Sequence, residues 1–66
     1  MKGRYRHYKG NEYEVIGVAK HTETEELLVV YLSVKTPEQI WVRPLGMFEE
    51  EIEINGNKIK RFLKIA

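Results

Sequence analysis

Hydrophobic and polar residues alternate in short runs along the chain, and this pattern is typical of β-strands rather than helices. The runs comprise Tyr5–Tyr8, Tyr13–His21, Leu27–Val34, Ile40–Arg43 and two more within "EEEIEINGNKIKRF" at residues 49–62. Polar, glycine-containing or proline-containing segments separate them, as loops do. Leu45-Gly46-Met47 follows Pro44 and predicts a single 3-10 turn. The pattern therefore predicts an all-β domain.

Asn55-Gly56 is the clearest turn signal in the chain, because this dipeptide favours a two-residue hairpin loop. With that loop, three pairs face each other across the hairpin: Ile52 with Ile59, Glu53 with Lys58, and Glu51 with Lys60. One apolar pair and two pairs of opposite charge support the same register. The sequence thus predicts a C-terminal β-hairpin.

An N-terminal hairpin is predicted around Lys9-Gly10-Asn11. With these three residues as the loop, the pairs are His7 with Tyr13, Tyr5 with Val15, and Arg6 with Glu14. The alternation places Tyr5 and His7 on one face and Arg4, Arg6 and Tyr8 on the other. A loop shorter by one residue would move every side chain to the opposite face. Further along, Gly17 predicts a bend or bulge.

The number and spacing of the strands predict one domain over residues 1–66, a strongly bent SH3-like barrel of five to six strands. The Leu27–Val34 run is apolar on both faces, as expected for a central strand. The predicted core consists of Val15, Leu28, Val30, Ile40, Val42, Phe48 and Ile52.

Composition narrows the classes of function. The 66 residues include no cysteine, which excludes disulfides and thiol catalysis and fits a reducing cytoplasm. No apolar run is long enough for a membrane span. The net charge is +1, with basic ends (+3 over residues 1–21 and +4 over residues 54–66) and an acidic middle (−6 over residues 22–53). The basic ends would meet if the first and last strands were neighbours.

Catalytic and metal-binding patterns are weak. The chain has no aspartate and one serine, Ser33, so a catalytic triad would need a glutamate and a distant histidine. His7, His21 and Glu23 are suitable metal-ligand types, but the predicted strand separates the two imidazoles by roughly 26 Å. We therefore expect a protein that is not an enzyme and has neither a metal nor a cofactor.

Two long segments resemble the bacterial family catalogued as domain of unknown function 1653. They are "YRHYKGNEYEVIGVAKHTET" and "WVRPLGMF", with "VVY" between them, and the resemblance covers almost the whole chain. The matching positions include Tyr5, Arg6, His7, Tyr8, Lys9, Gly10, His21, Glu23, Trp41, Arg43, Pro44 and Phe48. The resemblance implies a small bacterial protein and no particular biochemistry.

Trp41 and Arg43 are the strongest candidates for binding. If Ile40 and Val42 point inward, Trp41 and Arg43 lie side by side on the outside, a pairing typical of interface anchors. The alternative is that Trp41 caps an open end of the barrel and Arg43 folds over it through a cation–π contact.

Arg6, Tyr8 and a polar loop containing His21 and Glu23 extend the candidate surface. The alternative role for that loop is a turn in which the threonine hydroxyls and the glutamate carboxylate bond to backbone amides. We expect an accessory module that recognises a protein or peptide, including a second copy of itself. Weak binding of single-stranded nucleic acid is the alternative, and an enzyme-associated or metal-dependent site is a third.

Overall fold

The computed structural model describes residues 1–66, and the chain folds into seven strands and one short helix. They are β1 (Gly3–His7), β2 (Glu12–Lys20), β3 (Leu27–Ser33), β4 (Ile40–Pro44), α1 (Leu45–Phe48), β5 (Glu51–Ile54), β6 (Asn57–Lys60) and β7 (Phe62–Lys64). The predicted all-β class is confirmed. The predicted 3-10 turn is a four-residue α-helix, and no helix of the structure could cross a membrane.

Five strands form one antiparallel sheet in the order β4-β3-β2-β1-β7, and β5 pairs only with β6. The first and last strands, β1 and β7, are thus neighbours. This is the arrangement in which the basic ends of the chain would meet. No ladder joins β4 to β7 or the hairpin to the sheet. A backbone hydrogen bond ties the hairpin to β1 instead: the Tyr8 N–H, just after β1, donates to the carbonyl of Arg61, just after β6, at 2.9 Å.

The β1–β2 register differs from the prediction by two residues. Tyr5 lies opposite Tyr13 instead of Val15, because the loop comprises residues 8–10. Gly10 closes this loop with φ +107°, a conformation that favours glycine. A shift of two residues keeps every side chain on its predicted face. Tyr5 and Arg6 therefore lie on opposite faces, as expected.

Two other local predictions are confirmed. The register shifts between Val15 and Gly17, which places a bulge where the glycine indicated one. The C-terminal hairpin has the predicted pairing, and Asn55 and Gly56 both have positive φ, as its tight loop requires. The opposed lysine and glutamate side chains of this hairpin do not form ion pairs, since the four ion pairs of the structure lie elsewhere.

The core is mainly aromatic. Six side chains are buried: Tyr5, Val15, Val29, Tyr31, Phe48 and Phe62. Val15 and Phe48 confirm the prediction. The prediction was wrong for Leu28, Val30, Ile40, Val42 and Ile52, none of which is buried. The aliphatic runs were assigned to the interior, whereas the fold fills it with larger rings, each of which removes more apolar area from water.

The sheet has a core face and an outer face, which the burial pattern distinguishes. The core face carries Tyr5, Tyr13, Val15, Val29, Tyr31 and Trp41; the outer face carries Arg4, Arg6, Glu12, Glu14, Val30 and Val42. On β3 and β4 this assignment reverses the prediction. Trp41 lies opposite the buried Tyr31, and Val42 lies opposite Val30.

Helix α1 closes the core face from one side. Its last residue, Phe48, stacks on Phe62 with ring centroids 4.2 Å apart and an interplanar angle of 6°. Phe48 also meets Tyr5 edge to face at 5.3 Å. Because these contacts come from β1, α1 and β7, the aromatic core joins the two ends of the chain to its middle.

Candidate functional site

An aromatic groove opens on the core face at its β4 edge. It has a volume of about 360 Å³ and is lined by Tyr13, Tyr31, Ser33, Thr36 and Trp41, and we call it the Trp41 groove. Tyr13 and Tyr31 pack edge to face at 5.5 Å. Trp41 is 50% exposed. A half-exposed tryptophan beside two tyrosines is a rigid apolar surface with hydroxyl groups in reach.

Arg43 follows Trp41 on the same face of β4 and covers part of the core. Its Cζ lies 5.6 Å from the centroid of the Phe62 ring, a cation–π contact. The predicted outward orientation of Trp41 and Arg43 is therefore wrong, because both side chains share a face with Tyr31. The alternative prediction placed Arg43 over Trp41, but the aromatic partner is Phe62.

A second groove lies where β1 meets β7 and the hairpin. It measures about 430 Å³ and is lined by Arg6, His7, Tyr8, Ile59, Lys60 and Leu63, and we call it the Arg6–Lys60 groove. The adjacency of the first and last strands creates it, because β6 leads directly into β7 beside β1. Arg6 and Tyr8, both predicted as binding residues, meet here and not beside Trp41.

His7 links this groove to the core. Its ring packs against Tyr8 at 4.6 Å, Phe62 at 4.9 Å and Tyr13 at 6.4 Å. The Lys9 backbone N–H donates to His7 Nδ1 at 3.2 Å, so the neutral imidazole carries its proton on Nε2. Burial, followed by the positive charges of Arg61, Arg43 and Lys9, lowers the pKa of His7.

Ion pairs occupy the outer face of the N-terminal hairpin. Arg4 bonds Glu14 at 3.2 Å and Glu12 at 3.4 Å, and Arg6 bonds Glu12 at 3.4 Å. The bond to Glu14 raises the pKa of Arg4, whose guanidinium is charged in any case. These exposed pairs contribute little to stability. They do neutralise much of the positive charge that the sequence concentrates near the N-terminus.

His21 and Glu23 lie in a turn between β2 and β3. His21 Nδ1 accepts the backbone N–H groups of Glu23 at 3.0 Å and Thr24 at 3.3 Å. The predicted turn is confirmed, although the imidazole and the Thr24 hydroxyl satisfy the amides in place of the glutamate carboxylate. The turn precedes β3, whose first residue, Leu27, already lies about 13 Å along the strand from Tyr31. The structure therefore does not bring His21 and Glu23 to the Trp41 groove.

We did not predict from the sequence that Tyr13, Tyr31, His7 or Lys60 line these grooves. Tyr13 had a usable signal, since it shares a predicted face with Val15. Lys60 had none, because the approach of β6 to β1 depends on long-range packing.

A third hollow of about 290 Å³ lies between α1 and β7 and is lined by Met1, Tyr5, Phe48, Glu49, Lys60, Phe62, Leu63 and Lys64. The structure has no group of three or more His, Cys, Asp or Glu side chains that could hold a metal ion.

Comparison with known proteins identifies the family. The family model for the protein of unknown function DUF1653 matches residues 3–64. A crystal structure of a DUF1653 protein from Bordetella bronchiseptica is similar, with 31% identity, a TM-score of 0.89, and coverage of 100% of this chain and 87% of that one. No curated protein matches the sequence. Both matches extend over nearly the whole fold, and this chain belongs to the DUF1653 family.

Proposed function

We propose that this protein is a non-catalytic cytoplasmic recognition module that binds an extended segment of a partner protein in the Trp41 groove. The observation that carries the proposal is the half-exposed Trp41 beside the rings of Tyr13 and Tyr31. Tryptophan and tyrosine are the side chains most often responsible for binding energy at protein interfaces. Half of this tryptophan is open to solvent.

The polar groups of the groove suit a peptide. Ser33 and Thr36 line it next to the tyrosines and offer hydroxyl groups to backbone carbonyls of a ligand. Trp41 lies on β4, a free edge of the sheet. An extended segment beside β4 can pair with its unpaired backbone groups while an apolar side chain enters the groove. Because core contacts hold the rings of Tyr13 and Tyr31, these two side chains lose little freedom on binding.

The charges around the Trp41 groove favour a peptide over a nucleic acid. No arginine or lysine lines the groove. The nearest cation on β4, Arg43, lies over Phe62, and Arg4 and Arg6 lie on the opposite face of the sheet. A single-stranded nucleic acid needs a continuous positive track for its phosphates. Nucleic-acid binding is therefore treated as an outcome of the test.

We also infer that the sheet and the β5–β6 hairpin together make a strongly bent SH3-like barrel that is closed by packing. The stacking of Phe48 on Phe62 and the hydrogen bond from the Tyr8 N–H to the Arg61 carbonyl support this description. In such a barrel the Trp41 groove lies at one open margin. The interior is filled by side chains, so recognition takes place at the surface.

A random 12-residue peptide library displayed on phage, panned against the purified protein, tests the proposal. The decisive variant is Trp41→Ala, and the matched control is Val42→Ala, its neighbour on the opposite face, which is 58% exposed. We expect enriched peptides to bind the wild type and Val42→Ala equally and Trp41→Ala at least tenfold more weakly, since an anchor residue contributes about 2 kcal/mol or more. The single tryptophan allows binding to the wild type and to Val42→Ala to be followed by intrinsic fluorescence, and the anisotropy of a dye-labelled peptide compares all three proteins.

Three outcomes contradict the proposal. The first is a library without enriched peptides, and the second is peptides that bind Trp41→Ala as well as the wild type. The third is a 12-residue oligothymidylate that quenches Trp41 fluorescence more strongly than any peptide, with an affinity that falls steeply with salt. Circular dichroism and urea unfolding of both variants separate lost binding from lost folding.

A further inference from the structure

We propose that the Arg6–Lys60 groove binds a nucleoside monophosphate, with the phosphate beside Arg6 and Lys60 and the base against Tyr8, Ile59 and Leu63. This site is distinct from the Trp41 groove and does not depend on peptide binding. The groove combines a basic rim, an apolar floor and a volume suited to a small ligand.

The rim of the groove is basic. Arg6, His7 and Lys60 line it, and no carboxylate does. Lys9 lies nearby, with Nζ 5.8 Å from the centroid of the Tyr8 ring. The closest acidic contact is Glu12, which bonds Arg6 at 3.4 Å but is shared with Arg4. Lys60 opposes Glu51 across the hairpin without forming an ion pair. The rim therefore has positive charge left for a phosphate, which carries nearly two negative charges at neutral pH.

The floor of the groove is apolar and open to solvent. Tyr8, Ile59 and Leu63 are 37%, 37% and 57% exposed. A base or sugar placed on them removes apolar surface from water. The volume of about 430 Å³ falls within the range of small-ligand sites. A bare inorganic anion would leave this floor uncovered, which favours an anion with an organic body.

His7 provides a neutral donor at the same place. Because its Nδ1 accepts the Lys9 N–H, Nε2–H is its free donor. The groups that face His7 are Tyr8 and Lys9 from the turn, Tyr13 from β2, Arg43 from β4, and Arg61 with Phe62 from the start of β7. All of the charged groups among them are cations. A bound dianion offsets the repulsion between these cations and a protonated His7, so we expect it to raise the pKa of His7.

Titration of the protein with adenosine monophosphate, followed by NMR of the His7 and Tyr8 ring signals at about 50 mM salt, tests the site. The decisive variant is Lys60→Gln. Its matched control is Lys58→Gln, a lysine two residues away on β6 that also opposes a glutamate but does not line the groove. We expect Lys60→Gln to weaken binding on the order of tenfold, as for loss of a charge-assisted contact, and Lys58→Gln to leave it unchanged. The pKa of His7 should rise on binding in the wild type.

Inorganic phosphate and adenosine are the comparison ligands, and each should bind more weakly than the monophosphate. The proposal is overturned if adenosine monophosphate leaves the His7 and Tyr8 signals unchanged, or if the two lysine variants weaken binding equally. It is also overturned if inorganic phosphate binds as tightly as the nucleotide. An oligothymidylate that binds far more tightly, and loses affinity equally in both variants, would replace this site with a diffuse nucleic-acid surface.

Discussion

The two faces of the five-stranded sheet differ in composition and in what covers them. The core face packs tyrosines and phenylalanines in edge-to-face and stacked contacts around Val15 and Val29. The outer face is divided: ion pairs cover β1 and β2, whereas aliphatic side chains such as Val42 remain exposed on β4. The difference arises because α1, through Phe48, packs against the core face.

This comparison shows why a small domain can have an aromatic binding groove at little cost to its stability. The core continues outward as Tyr13, which packs against it, and Trp41 lines the same groove. Edge-to-face contacts fix Tyr13 against Tyr31 and Phe62. The surface offered to a ligand is therefore rigid before the ligand arrives.

The largest effect should come from the stacked pair at the centre of the core face. Phe48→Ala removes a side chain that is 1% exposed and stacks on Phe62 at 4.2 Å. We expect a loss of about 3 to 5 kcal/mol in the free energy of unfolding, enough to unfold so small a domain. Circular dichroism and urea unfolding measure it. A loss below about 1 kcal/mol would mean that Phe48 is not part of the core.

Two adjacent valines on β3 compare the faces directly. Val29 is fully buried on the core face, and Val30 is partly exposed on the outer face. We expect Val29→Ala to lower the free energy of unfolding by about 2 kcal/mol and Val30→Ala by less than about 1 kcal/mol. Equal losses from urea unfolding would show that the outer face is covered in solution.

Arginines on the two faces should respond differently to salt. Arg43 lies over Phe62, so Arg43→Ala should cost about 1 kcal/mol through lost packing and cation–π contact. Arg4 bonds exposed glutamates, and Arg4→Ala should cost less, with an effect that disappears at about 1 M salt. Urea unfolding of both variants at low and high salt tests this. The expectation fails if the Arg43 effect is the one that salt removes.

The smallest effect should be a pH dependence from His7. Its pKa is lowered by burial and then by Arg61, Arg43 and Lys9, so the unfolded chain takes up the proton first as the pH falls. Stability is unaffected well above the unfolded pKa, about 6.5, and decreases as the pH falls from there to the folded pKa. His7→Gln should remove this part of the decrease. Identical pH profiles for the wild type and His7→Gln would contradict the assignment.

Local signals in the sequence predicted much of the fold. Asn55-Gly56 specified the C-terminal hairpin and its register, and Gly17 marked the bulge. Both depend on backbone conformations set by a few adjacent residues. The register of the N-terminal hairpin was harder to predict. Pairing Tyr5 with Val15 or with Tyr13 places every side chain on the same face, so the alternation of residues does not distinguish the two registers. The observed register has a loop over residues 8–10, which Gly10 closes with a positive φ.

The candidate sites were harder to predict because they depend on which face is covered. In β4, Trp41 and Val42 point to opposite faces, and we predicted from the sequence that Val42 points inward. The structure makes the opposite choice, since Trp41 lies opposite Tyr31. The predicted surface therefore divides into the Trp41 groove, the Arg6–Lys60 groove and the His21 turn. No short-range signal could assign these three places.

By itself, the sequence determined the strands, the turns and the alternation of side chains between two faces, because these follow from neighbouring residues and the pleat of a strand. Only the tertiary structure decided which face is the core. Where a run such as Leu27–Val34 is apolar on both faces, alternation cannot distinguish them. The deciding contact was the stacking of Phe48 on Phe62, which brings distant residues together and depends on total buried area.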